Sequence, residues 1–73
     1  MKRVRLVFSE CEHDGDLDNY SSDVIKCGGS LFSKSVDHDA ECGVIIAEVP
    51  DNFRDKIMET DSGDFLELLS YCK

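Results

Sequence analysis

A chain of 73 residues with sixteen acidic and eight basic side chains carries a formal charge of -8, which leaves room for one hydrophobic core and disfavours any direct grip on nucleic acid. Its hydrophobic content of 41%, gathered into runs, also separates it from a disordered acidic tail. A single domain over residues 1–73 is expected, with a thin core, because domains of about this size bury only about 60% of the surface their unfolded chains expose.

The N-terminal Met1-Lys2-Arg3-Val4-Arg5 is basic, but only Leu6-Val7-Phe8 follow before Ser9 and Glu10, too short an apolar run for a secretion signal. No stretch reaches the length needed to cross a membrane. The expectation is a cytoplasmic protein with reduced thiols, in which Cys27 and Cys72 act as small core residues. Val4, Leu6 and Phe8 alternate with Arg3, Arg5, Val7 and Ser9, the period of a strand over 3–9 with one buried face.

Glu10, Glu12, Asp14, Asp16 and Asp18 then occupy alternate positions with no Lys or Arg among them. In an extended segment alternate residues lie about 6.7 Å apart, close to the spacing of successive phosphates on a nucleic-acid strand, so these acids predict a one-sided row of charge. Asp14-Gly15-Asp16-Leu17-Asp18-Asn19 opens like a calcium loop, but Asn19 stands where the turn needs Gly and Ile25 where a bidentate carboxylate belongs. Leu17, Tyr20, Val24 and Cys27 recur at helical spacing and predict a helix over 17–27, capped by Asp16 or Asp18 and ended by Gly28-Gly29. The same residues also fit a short strand over 24–27 with Gly28-Gly29 as a hairpin turn.

A strand over 31–36, the turn Asp37-His38-Asp39-Ala40-Glu41-Cys42-Gly43 and a strand over 44–49 form a predicted hairpin. Val44, Ile45, Ile46 and Val49 make the last of these apolar on both faces, which places it mid-sheet with Ile46 in the core. Pro50 stops it. Asp51-Asn52 can cap a helix carrying Phe53, Ile57 and Met58, and after Ser62-Gly63 a second helix is predicted from Phe65, Leu66, Leu68, Leu69 and Cys72. The predicted class is α+β, a three-stranded antiparallel sheet with helices on one face in the order β-α-β-β-α-α, a ferredoxin-like split β-α-β lacking its final strand.

Cys11-Glu12-His13 and His38-Asp39-Ala40-Glu41-Cys42 hold two sulfurs and two imidazoles, the ligand count of a zinc site, but the one-residue gap between Cys11 and His13 is too cramped to aim both at one ion. No metal or cofactor is expected, and a zinc-stabilised interaction domain stands as the alternative. Pairing Cys42 with His38, or Cys11 with His13, as a thiol nucleophile and base lacks an orienting residue and an oxyanion hole, so a non-enzymatic protein is expected and a thiol enzyme is the distant alternative. Gly28-Gly29 precedes a strand and cannot cradle phosphate at a helix N-terminus.

In size, charge and compact α/β pattern the whole chain resembles the small acidic proteins that phages and other mobile elements encode to block host defences, above all anti-CRISPR proteins and anti-restriction DNA mimics. The resemblance implies stoichiometric inhibition, by occupying the basic channel of a nucleic-acid-binding complex such as a CRISPR-Cas effector and excluding its target. It carries over no residue roles. Charge placement alone nominates the partner-binding residues: Glu10, Glu12, Asp14, Asp16 and Asp18 before and within the first helix, and Asp37, Asp39 and Glu41 in the hairpin turn.

Overall fold

The computed structural model describes residues 1–71. In chain order it contains β1 (Lys2–Phe8), α1 (Asp14–Lys26), β2 (Ser30–Asp37), β3 (Cys42–Val49), α2 (Phe53–Met58), a 3-10 helix (Asp61–Phe65) and β4 (Leu66–Tyr71). The strands form one antiparallel sheet of four in the order β2-β3-β1-β4.

Alternation decides which side of the sheet is covered. Val4, Leu6 and Phe8 of β1 and Ile45, Ala47 and Val49 of β3 are buried beneath the helices, packed against Leu17, Tyr20 and Val24 of α1 and Phe53 and Ile57 of α2. Phe8 and Tyr20 stack with ring centroids 4.7 Å apart, and Cys11 and Cys27 fill out the same cluster. Cys72 lies outside the described residues.

An α+β chain with an antiparallel sheet and helices was legible in the sequence, but the element order is corrected. The predicted second C-terminal helix is instead β4: Leu66 and Leu69 sit opposite Phe8 and Leu6, and Leu68 opposite Val7. A helix there would leave β1 as a sheet edge, with one row of backbone donors and acceptors unpaired beside the core, whereas β4 completes the ladder. The sheet therefore has four strands, not three, and the ferredoxin-like pattern includes its final strand.

Two further boundaries move. Residues 24–26 continue α1 rather than starting a hairpin strand, with Cys27 as its C-cap, and α1 starts at Asp14, three residues earlier than the apolar spacing suggests. His13 is its extended N-cap residue, and neither Asp16 nor Asp18 serves as the cap. Gly28, with φ of 92°, ends the helix in a backbone conformation suited to glycine. Ile46 is also reassigned, because β3 buries Ile45 beneath the helices and turns Ile46, half-buried, to the other face.

Candidate functional site

The β1–α1 connection and the β2–β3 turn are polar and far apart in sequence, yet they meet at one end of the sheet. The Cys11 amide donates to the Glu41 carbonyl at 2.9 Å. Gly43 permits this approach, since a Cβ there would lie 3.0 Å from Cys11 Sγ and 2.6 Å from Leu17 Cδ1. On the other side of the connection, the Tyr20 hydroxyl donates to the Ser9 carbonyl at 2.9 Å, which ties α1 to the end of β1.

All eight nominated acids therefore lie on elements that converge at or beside this end, but the expected row does not exist. Only Glu10 and Glu12 belong to the non-helical connection; Asp14, Asp16 and Asp18 are on α1. Residues two apart on a helix point to nearly opposite sides, so the alternation that would align them on a strand splits them here. Asp14 and Asp18, one turn apart, share a face instead.

Three of the acids already have partners. Asp16 Oδ2 accepts the Glu12 amide at 3.2 Å and lies 3.6 Å from His13 Nδ1, reaching back over the start of α1 as the acid of a capping box does. Asp18 pairs with Lys34 Nζ at 2.5 Å. Asp37 Oδ1 accepts the amides of Asp39 and Ala40, folding the hairpin turn on itself. Glu10, Glu12, Asp14, Asp39 and Glu41 are exposed and take no side-chain hydrogen bond or ion pair among the described residues.

Glu10 and Glu41 also sit in the left-handed backbone region, with φ of 55° and 53°. That conformation costs an L-residue roughly 1–2 kcal/mol, and glycine adopts it freely. Both strained positions carry a carboxylate, on the two segments that the Cys11–Glu41 hydrogen bond joins.

An additional acidic concavity escaped the sequence reading. A groove of about 530 Å³ runs between α1 and the 3-10 helix, with Asp16, Asp23 and Asp61 at its walls, Tyr20 and Phe65 as its aromatic part and Lys26 at its margin. Asp16, Tyr20 and Asp23 follow the i, i+4, i+7 spacing of one helix face, a signal hidden when the helix is started at residue 17. The buried Ser62 hydroxyl donates to Asp23 and holds the groove's two sides together.

Two of the thiols, Cys11 and Cys27, are buried. Burial pushes the Cys11 thiol up, and the Asp16 carboxylate, the Cys42 thiol and the Asp14 carboxylate add to the shift. Burial and the Asp23 carboxylate do the same for Cys27. Cys11 Sγ points to the His13 backbone carbonyl at 3.7 Å, while the His13 side chain is 72% exposed. A protonated thiol is the unreactive form. Among the described residues, no three His, Cys, Asp or Glu side chains gather to hold a metal ion, and no helix is long and apolar enough to cross a membrane.

Compared with known proteins, the chain matches no family model, no curated protein and no solved structure.

Proposed function

We propose that this chain is an acidic inhibitor protein that docks on the basic nucleic-acid-binding surface of a larger complex, of the CRISPR-Cas effector kind, and blocks target binding as a DNA mimic. The observation that carries the reading is the joining of two Lys- and Arg-free acidic connections at one end of a small rigid sheet. Carboxylates fixed on a scaffold lose little freedom on meeting a lysine- and arginine-lined groove, and opposite charge speeds encounter. The left-handed Glu10 and Glu41 add support, because strained backbone at an exposed acid is a feature that stability alone would remove.

The form of mimicry differs from a ladder of phosphates. The charge is a cluster built from a loop, the first turn of a helix and a hairpin turn, with Glu10, Glu12, Asp14, Asp39 and Glu41 as its uncommitted members. Such a cluster fits a concave basic site better than a long channel.

The test is competition. A host-lysate pull-down at low and high salt should recover a nucleic-acid-binding complex only at low salt, and saturating that complex with its target DNA should then exclude this chain. Simultaneous binding of chain and DNA to the same complex would reject mimicry.

A further inference from the structure

The face of the sheet turned away from the helices is uncovered and apolar at its centre. Val7 of β1 sits between Leu68 of β4 and Val44 of β3 in register, so a stripe of aliphatic side chains crosses three strands. Ile46 lies on the same face, and Leu68 is 46% exposed. Phe32, at the irregularity in β2, is 54% exposed with the Arg3 guanidinium 4.2 Å from its ring centroid. Monomers leave scattered apolar residues on their surfaces, whereas a contiguous apolar stripe is the kind of patch that contact surfaces use.

Charge identifies the occupant. Alternation puts Arg3 and Arg5 on this face with Glu48, which lies 3.7 Å from Arg3, and with Asp37 at the rim. The chain as a whole carries -8, and its other acids are concentrated on α1, on α2 and its flanks, and on the connections at the acidic end, apart from Glu67 at the register shift in β4. A second copy, equally acidic, is repelled from those surfaces and meets balanced charge only here. A two-fold axis through this face lays the aliphatic stripes against each other and brings the arginines of one copy towards glutamates of the other, the self-complementarity an isologous contact requires.

The dimensions allow it. The molecule measures 31 × 26 × 17 Å, and in a two-layer fold the shortest extent runs across the layers, so the uncovered face is one of the broad ones. Two such faces in contact over most of their area bury on the order of 1,200 Å² in total, the lower end for a specific interface.

We infer that the uncovered face formed by Val7, Val44, Ile46, Leu68 and Phe32 pairs with the same face of a second copy, giving a sheet-on-sheet dimer with a dissociation constant in the micromolar range. The packing is that of an aligned β-sandwich, about 10 Å between sheets. The acidic ends, at the ends of the strands, stay accessible in both copies. The pairing does not depend on what the acidic end binds.

Sedimentation of the whole chain from low micromolar to millimolar concentration reads the result. The mass should double with concentration, and added salt should strengthen the pairing by screening the repulsion between copies, the reverse of its effect on a basic partner. Leu68→Asp should weaken association roughly tenfold or more while leaving the circular dichroism spectrum unchanged. Dilution of the wild-type chain followed by methyl NMR needs no variant: the signals of Val7, Val44, Ile46 and Leu68 should move and those of Val4, Leu6 and Ile45 should not. A chain that stays monomeric throughout, leaving the face to a foreign partner or to solvent, overturns the inference. So does a dimer indifferent to Leu68→Asp or one whose shifts map to the helices.

Discussion

The Cys11 amide and the Glu41 carbonyl, thirty positions apart in the chain, are joined at 2.9 Å, and this bond ties the first acidic connection to the hairpin turn. Both neighbouring backbones are bent into place by residues that resist the bend. Glu10 and Glu41 each take the left-handed conformation, with φ of 55° and 53°. Replacing either with Gly relieves roughly 1–2 kcal/mol of strain and forfeits about 0.5–1 kcal/mol in unfolded-chain entropy, so each substitution should stabilise the fold by about 0.5 kcal/mol. Urea midpoints should rise for Glu10→Gly and Glu41→Gly singly and add in the double variant. A fall in either midpoint would mean that the carboxylate supports the fold.

Adjacent residues of β3 make a sharper pair. Ile45 is fully buried beneath the helices and Ile46 half-buried on the uncovered face. Ile45→Asp places an unpaired carboxylate in the core, a cost of several kcal/mol against a total stability of similar size, and should leave the chain unfolded. Ile46→Asp should give a soluble chain with a cooperative thermal transition. Equal loss of structure in both would show that the far face is covered.

The difference between those two neighbours marks the limit of what the sequence makes legible. Alternation in 3–9 identifies the buried face of β1, because Arg3 and Arg5 mark the other side; in β3 only Glu48, two residues beyond Ile46, marks that side, and the apolar run before it hides the alternation. The segment after Phe65 is ambiguous for a related reason. Leu66, Leu68 and Leu69 satisfy helical spacing as well as a strand, and only the open edge of β1 decides between them, a tertiary demand invisible locally. At the candidate site, composition marked the right two segments, but not the start of α1 at Asp14, whose first turn breaks the alternating row. Nor could it reveal the commitments of Asp16, Asp18 and Asp37, which depend on an amide, a lysine sixteen residues away and a turn.

Buried thiols give stability a definite pH dependence. Burial holds Cys11 and Cys27 protonated in the folded state above their ordinary range, so between the unfolded and folded values the unfolded chain binds fewer protons. Their contribution is complete below about pH 8.5, the unperturbed thiol value, and is lost as pH rises towards the folded values. Tyr20, raised by burial and then by Cys11, Asp16 and Glu10, extends the decline to higher pH. Urea midpoints between neutral and alkaline pH should fall steadily, and Cys11→Ala, although less stable at neutral pH, should show a shallower fall. A slope unchanged by that substitution would assign the alkaline loss elsewhere.

Function turns on separating charge at the acidic end from charge in general. Neutralising Glu10, Glu12, Asp14, Asp39 and Glu41 to their amides removes carboxylates that are exposed and have no intramolecular side-chain partner among the described residues, so the fold should hold and, with less self-repulsion, gain slightly. The control neutralises the exposed Asp55 and Glu59, on and just after α2 and away from that end, and the losses are compared per charge removed. If the cluster meets lysines and arginines directly, its variant should lose most affinity for the captured complex and most of the salt dependence, while the control loses only the smaller effect of long-range attraction, which screening over about 10 Å at moderate salt removes. Titration of the complex with both variants at two ionic strengths measures this. Equal losses would mean that net charge alone drives association, and the cluster would then be a solubilising surface rather than a binding site.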